Sequence, residues 1–350
     1  MNKLFVRKKE KVGGRITDAN VDEHKERVLA RGRKFKYPLQ YSKYRVVVNT
    51  AIIGAVVLVG SGIFTWLSLY VWQNTGDVAY GITRVLPLAV SEVDGRSVRF
   101  SDYLMIYRSS VASIERQQGS LSEMDGGGAI SDEYKRQAMN DVEGYVYAMK
   151  LADELGVEVT REDMDELSRV HRTIGGVEKS RETYEAILRN NFGLSVGEYE
   201  RLLRLVIMRR KVEEKIDERA LQRIRAVEAR LHENGGDMRA AAGEDGLFEG
   251  SRGLVDRDNL DGWRAEEAMK LEVGQVSRGF VSQNGDGYYV VKTLGKSESQ
   301  VEYESVFVRF TELADRLAEM RKTCGGDEPK VRRFIDVGVE NEDGLCYIGR

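Results

Sequence analysis

The feature that most constrains this chain is an uncharged apolar run over residues 46–72, VVVNTAIIGAVVLVGSGIFTWLSLYVW. At about 1.5 Å per helical residue, this run is long enough to cross a hydrocarbon core of roughly 30 Å. Aromatic residues, which settle at membrane interfaces, stand near both ends: Tyr41, Tyr44, Trp66, Tyr70 and Trp72. We therefore predict a transmembrane helix here. The alternative, a buried core helix, is disfavoured by the length of the run.

The charge on either side of this run predicts its orientation. Residues 1–45 hold 14 Lys and Arg against 5 Asp and Glu, whereas the rest of the chain holds 40 against 52. Because positive charge stays on the cytoplasmic side, we expect a cytoplasmic N-terminus and extracytoplasmic domains after the helix. The long basic tail and the long apolar run favour an uncleaved signal anchor over a cleaved signal peptide.

The basic tail, residues 1–45, shows little apolar periodicity and is predicted to be largely disordered. Its RKKEK and RGRKFK clusters are suited to contact with anionic lipid headgroups. We do not expect binding to nucleic acid, because the same clusters already serve as a topology signal.

Composition excludes several classes of site. Two cysteines, Cys324 and Cys346, are too few for a disulfide scaffold, and the sequence leaves open whether they pair. The three histidines, His24, His171 and His232, lie far apart with no zinc-ligand spacing around them. No glycine loop follows a strand and opens a helix, as phosphate binding would need. We therefore predict no catalytic residue, no cofactor and no metal.

After the anchor, the first elements are predicted to be extended. Residues 86–93 form a strand, Asp94-Gly95 is a strong turn signal, and residues 97–100 form a second extended piece. Ser101 is predicted to cap the helix that follows. A glycine-rich loop is then expected at residues 126–128.

Residues 132–235 have a helical pattern almost throughout, with short breaks at glycines. Two helix starts have the sequence of a capping box, Thr160 with Asp163 and Ser195 with Glu198. The helix after Ser195 carries an apolar stripe, which we interpret as packing in a bundle; a peptide-binding groove is the alternative.

From Gly250 the pattern changes to short extended segments, which predicts an α+β module. The predicted fold class is therefore α+β, with one N-terminal transmembrane helix, an all-helical domain and a small α+β module. The predicted boundaries are 1–45 for the tail, 46–72 for the anchor, 78–235 for the helical domain, 250–310 for the α+β module and 311–350 for a C-terminal helix and tail.

This order of pieces resembles the extracytoplasmic foldases of the SurA, PpiD and PrsA type. AILRNNFGLSVGEYERLLRLVIMRRKVEEK, residues 186–215, is similar to the long helix after a glycine loop in their helical chaperone domain. GWRAEEAMKLEVGQVSRGFVSQNGDGYYVVK, residues 262–292, is similar to the second half of their parvulin-like prolyl isomerase domain. The resemblance implies a chaperone that binds unfolded or extended polypeptide.

The sequence departs from that family at the pocket. Tyr289 stands where parvulins have a second histidine, Met269 stands where they have a phenylalanine, and we identify no strand before Gly250 to carry the first histidine. The candidate proline pocket is Met269, Phe280 and Tyr289, although Phe280 and Tyr289 are also read as ordinary sheet residues. Residues 301–310 either pair back on the preceding strand and complete a permuted sheet, or begin a second unit.

Three functions follow from these patterns. The favoured one is a membrane-anchored, extracytoplasmic chaperone or foldase-like protein with weak or no isomerase activity. It would use apolar surface between the helical domain and the parvulin-like module. The alternatives are an active prolyl isomerase with an altered pocket and a non-catalytic envelope scaffold. The predicted partners are polypeptide clients and the membrane, with no nucleic acid.

Overall fold

The computed structural model describes residues 18–36, 38–174, 177–322 and 330–337. Two compact units, Met1–Leu67 and Ser68–Arg350, make up the chain. Cys324 and Cys346, whose pairing the sequence leaves open, lie outside the described residues. The mixture of helices and sheets agrees with the predicted α+β class.

The first unit contains two helices, α1 over Asp18–Lys36 and α2 over Pro38–Trp66. The prediction of a largely disordered tail is therefore wrong for Asp18–Lys36, whereas residues 1–17 lie outside the described part. The apolar helix at Tyr44–Val71 is long and apolar enough to cross a membrane, and its apolar window is not buried against protein.

The far end of this apolar helix belongs to the second unit. A π-helical turn, Leu67–Val71, continues α2. Leu69 is only 1% exposed. The Tyr70 hydroxyl donates to the Ala89 carbonyl oxygen at 2.7 Å, and its ring meets Phe100 edge-on at 5.6 Å. The last turn of the predicted span is thus packed into a folded core.

The helical module begins the second unit. Its helices are α3 Asp77–Val85, α4 Phe100–Gln118, α5 Gly127–Leu155, α6 Arg161–Arg172, α7 Arg181–Phe192 and α8 Val196–Ile216. Its first strands are β1 Ala89–Val93 and β2 Arg96–Arg99, and a small hairpin is formed by β3 Thr173–Ile174 and β4 Val177–Glu178.

Local sequence signals explain most of these element boundaries. Both predicted capping boxes form, at Thr160 and at Ser195. The Asp94-Gly95 turn joins β1 to β2, and both of its residues have positive φ, 47° and 83°. This is the left-handed backbone that a tight two-residue hairpin turn requires.

Two predictions at helix starts are wrong. Helix α4 begins at Phe100 rather than after Ser101, and its cap residue Arg99 makes no side-chain capping bond. The expected loop at residues 126–128 is partly helical, because α5 begins at Gly127. A Cβ on Gly127 would lie 1.8 Å from the Leu121 carbonyl oxygen, so this close approach admits only glycine.

The sheet module follows. Its helices are α9 Glu218–Glu233, α10 Met238–Ala242 and α11 Arg264–Lys270. Its strands are β5 Leu247–Glu249, β6 Val255–Asp256, β7 Phe280–Val281, β8 Gly287–Lys296 and β9 Gln300–Arg309. The antiparallel order is β5-β9-β8-β7, and β6 also pairs with β9.

The pairing of β9 decides between the two predictions for residues 301–310. Strand β9 pairs with β8 along most of its length, from Gly287 opposite Arg309 to Lys296 opposite Val301. It is a central strand of the sheet, so the hairpin prediction is confirmed and a second unit does not begin here. A short strand just before Gly250, β5, pairs with the other edge of β9, but it carries no histidine.

The C-terminal segment returns to the helical module. Helix α12, Glu312–Lys322, buries Leu313 and Leu317 in the same core as Phe100. Strand β10, Val331–Arg333, pairs antiparallel with β1. The modules therefore differ from the predicted boundaries: α12 and β10 join the helical module, while α9 and α10 pack on the sheet.

We expect stability to depend on pH through His171. Its Nδ1 is hydrogen-bonded to the Tyr199 hydroxyl, and burial among aromatic rings lowers the pKa of His171 to about 4. Since an unfolded histidine has a pKa of about 6.5, protonation favours the unfolded chain, and stability falls as pH falls from about 6.5 to 4. The expected slope is up to about 1.4 kcal/mol per pH unit.

The measurement is the free energy of unfolding in urea at several pH values. His171→Gln should flatten the slope in that window. His232→Gln, at an exposed position on α9, should leave it unchanged. Equal slopes for the wild type and His171→Gln would contradict the assignment.

Candidate functional site

The three predicted pocket residues lie on or beside one face of the sheet. Tyr289 on β8 is directly opposite Phe280 on β7, and their rings stack at 6.3 Å. Phe307 of β9 stacks with Tyr289 at 4.6 Å. The Arg264 guanidinium lies 4.8 Å from the centre of the Tyr289 ring. Tyr289 is 5% exposed as a result, so aromatic and cationic groups already occupy the space around it.

Ion pairs and hydrogen bonds hold this face closed. Arg264 forms a salt bridge with Glu249, and the Tyr303 hydroxyl donates to an Asp261 carboxylate oxygen at 2.6 Å. Burial and the nearby Asp286 charge raise the pKa of Tyr289, so the phenol stays protonated near neutral pH. It is therefore unsuited to act as a base there.

Met269 completes the predicted set but does not open a pocket. It packs with Phe280 and Tyr303 against a small apolar cluster that includes Ala265 and Ala268. A neighbouring cavity of about 60 Å³ is lined by polar groups such as Asp261 and does not include Met269, Phe280 or Tyr289. A cavity of this size has room for a few water molecules. The structure thus gathers the predicted residues into a packed face.

The surface between the two modules is also in use. On α8, the Arg210 guanidinium lies 5.1 Å from the Trp263 ring, and Gly285 packs directly on the Arg210 backbone. The neighbouring Arg209 donates to Glu213 at 2.8 Å. The Arg210 contacts occupy surface between the two modules, which the sequence analysis assigned to client binding.

An open cleft lies instead at the N-terminal end of α8. One part, of about 440 Å³, is bounded by α3, α4 and α8. A second part, of about 400 Å³, lies between α6 and α8. Gly197 and Arg201 line both parts, and we call the two together the α8 cleft.

Charges of both signs line the α8 cleft. Arg201 donates to Asp102 at 2.8 Å, and Arg84 lies 3.4 Å from Glu198. The Tyr80 hydroxyl donates to Glu198 at 2.5 Å. Burial tends to raise the pKa of Glu198, but hydrogen bonds from Ser195 and Tyr80 outweigh it and hold that pKa below its usual value. The carboxylate is therefore charged near neutral pH.

The exposed arginine side chains of the α8 cleft are suited to binding. The Arg201 and Arg84 side chains are 44% and 58% exposed, so both guanidinium groups reach solvent. The lining residues include no histidine or cysteine that would serve as a base or nucleophile near neutral pH. Sequence reasoning missed this cleft, because its walls come from four separate helices and the Ser195 capping box was its only local signal.

Among the described residues, no three His, Cys, Asp or Glu side chains come together in a way that could hold a metal ion. Comparison of the chain with protein-family models, curated proteins and solved structures finds no significant match.

Proposed function

We propose that this chain is a membrane-anchored protein that holds extended or unfolded polypeptide segments outside the cytoplasm, with weak or no prolyl isomerase activity. The observation that carries the proposal is the open, charged α8 cleft, whereas the sheet face is closed.

The lining of the α8 cleft matches an extended polypeptide better than a small molecule. Small-molecule sites are mostly apolar and bury most of their ligand, whereas this cleft is open and polar. Arg84 and Arg201 are donors for backbone carbonyl oxygens and acidic side chains, and Asp102 and Glu198 are acceptors for backbone amides and basic side chains. A passing chain of mixed sequence would find partners for each kind of group.

The sheet face supports the same proposal because it has no room for a proline ring. Prolyl isomerisation needs a pocket that holds the ring and favours the twisted amide. At the corresponding positions, Tyr289 lies between Phe280 and Phe307 and under Arg264. A proline ring would have to displace these groups. The module then contributes stability and shape rather than catalysis.

The location rests on the apolar helix and the charge pattern. The helix at Tyr44–Val71 is long and apolar enough to cross a bilayer, and the basic residues precede it. Positive charge on the cytoplasmic side would place Ser68–Arg350 outside the cytoplasm.

Filling the cleft should weaken client binding without unfolding the protein. Gly197 is the second residue of α8, and a Cβ there would meet nothing within 4 Å. Gly197 lines both parts of the cleft, so Gly197→Phe places a ring where they meet and should weaken binding about tenfold or more. The measurement is fluorescence anisotropy of a labelled, reduced and alkylated polypeptide mixed with the full chain in lipid nanodiscs.

Gly128→Phe is the matched control. Gly128 is likewise the second residue of its helix, is exposed, and has nothing within 4 Å of its Cβ position. Its affinity should stay within about twofold of the wild type. Unchanged binding by Gly197→Phe would reject the cleft, and no binding by the wild type would favour the envelope scaffold. Fast prolyl conversion by the wild type that is lost in Met269→Ala would favour the isomerase.

A further inference from the structure

Helix α3 has an apolar face that none of the described residues covers. Ala79 and Thr83 face the core, with exposures of 4% and 2%. On the opposite side, Val78 is 77% and Val85 80% exposed, and Leu86 follows at the helix end with 45%. Because a spacing of seven residues is two helical turns, Val78 and Val85 share one side of the helix. We call Val78, Val85 and Leu86 the α3 apolar face.

This face lies close along the chain to the candidate membrane span. The intervening Val71 and Trp72 are also exposed, at 53% and 60%. Exposed apolar side chains that occur singly need no explanation, but a contiguous group marks an interaction surface. Here five large apolar side chains are exposed between residues 71 and 86.

The connection between the span and α3 is short and ordered. Leu69, in the last turn of the apolar helix, is buried in the same core cluster as Ala79 of α3. Val78 follows Trp72 by six residue steps, which span at most about 20 Å when the chain is fully extended. If the apolar helix crosses a bilayer, α3 must therefore lie within that distance of the lipid surface.

Charged side chains near this face suit a phospholipid surface. Arg84 on α3 and Arg99 just before α4 are both exposed. Basic residues near an anionic lipid surface are attracted to it. The exposed acid at the start of the helix, Asp77, is paired with Arg108, whereas Arg84 lies 3.4 Å from Glu198 and keeps 58% of its side chain exposed. Valine and leucine on one side with arginine beside them is the pattern of helices that lie in a membrane interface.

We propose that the α3 apolar face rests in the interface of the bilayer that the Tyr44–Val71 helix crosses. This inference rests on the membrane anchoring in the proposed function. Val85 lines the α8 cleft as well as the apolar face. The docked helix therefore holds the mouth of the cleft at the membrane surface, where a segment leaving the bilayer would meet it.

Single cysteine labels test the docking. In a chain with Cys324→Ser and Cys346→Ser, an environment-sensitive fluorophore is attached at Val78→Cys or at Val85→Cys. The full chain is reconstituted in vesicles of phosphatidylcholine and phosphatidylglycerol, with quenchers attached to the lipid chains. We expect loss of about half of the emission or more, since interfacial helices bury their apolar side chains about 5–10 Å deep.

Two further labels make each outcome decisive. Val57→Cys reports the span itself, and Val273→Cys is a matched valine, 60% exposed, in the loop after α11. Quenching at Val57, Val78 and Val85 but not at Val273 supports docking. Quenching at Val57 without quenching at Val78 and Val85 overturns docking while the anchor stands. No quenching at Val57 overturns the anchor and the docking together. Quenching at Val273 equal to that at Val78 and Val85 shows unspecific adsorption and overturns the docking. Client binding through the cleft is measured separately in each case.

Discussion

Glu143→Ala is expected to destabilise the second unit by about 3–5 kcal/mol, because it leaves two arginines without their buried carboxylate. Glu143 is fully buried on α5. Its carboxylate accepts two hydrogen bonds from Arg333, both at 2.8 Å, one from Arg321 at 2.6 Å and one from the Ser91 hydroxyl at 2.9 Å. Burial alone would raise the pKa of Glu143, but the arginines hold it below the usual value.

This carboxylate joins the C-terminal segment to the helical core. Arg321 lies on α12 and Arg333 on β10, so one residue ties both elements to α5 and, through Ser91, to β1. The loss should appear in urea unfolding of the full chain, followed by far-ultraviolet circular dichroism.

The matched comparison is a surface pair. Glu185→Ala removes the exposed partner of Arg189 on α7 and should change the unfolding free energy by about 0.5 kcal/mol or less. A loss below about 1 kcal/mol for Glu143→Ala would mean that the network does not hold the segment.

Asp217→Ala should have the second largest effect, about 2–4 kcal/mol, because this carboxylate caps two helices at once. Asp217 is 1% exposed. One of its oxygens accepts from the Ala220 amide at 2.8 Å, at the start of α9. The other accepts from the Thr311 and Glu312 amides, at 2.7 and 3.1 Å, at the start of α12. Its removal leaves these amides without their acceptor at the joint between the two modules.

Asp237 provides the control for a single cap. Its carboxylate accepts from the Ala240 amide at 2.9 Å at the exposed start of α10. Asp237→Ala should cost about 1 kcal/mol. Thermal unfolding of the two variants, measured side by side, gives the difference. Equal losses would show that the second cap of Asp217 contributes nothing.

Interactions within a few residues were predictable from the sequence. The capping boxes at Thr160 and Ser195 and the Asp94-Gly95 turn each need only neighbours along the chain, and each forms as expected. The β8–β9 hairpin was one of two alternatives for residues 301–310, and the pairing of β9 with β8 selects it. Short strands were not predictable in this way. Strand β5 has three residues, which are too few to show an alternating pattern, and its position is fixed by pairing with β9.

The candidate site was less predictable, because exposure is decided by packing. The sequence grouped Tyr289 and Phe280 as a candidate pocket, and the pairing of β7 with β8 places them opposite each other. Their closure by Phe307 and Arg264 depends on other segments of the chain. The α8 cleft has no sequence motif of its own, because it is a space between four helices that are separate in the sequence.

The sequence by itself determined the apolar helix, the helical stretch after it and the local caps and turns, because these depend on composition and on contacts between near neighbours. Tertiary structure decided which segments share a core. Strand β10 pairs with β1, and Arg333 reaches Glu143, 190 positions earlier in the chain. Such contacts leave no periodicity in the sequence, because a buried ion pair needs only two charges that the fold happens to bring together. The division into modules, the closed sheet face and the open cleft all follow from those long-range contacts.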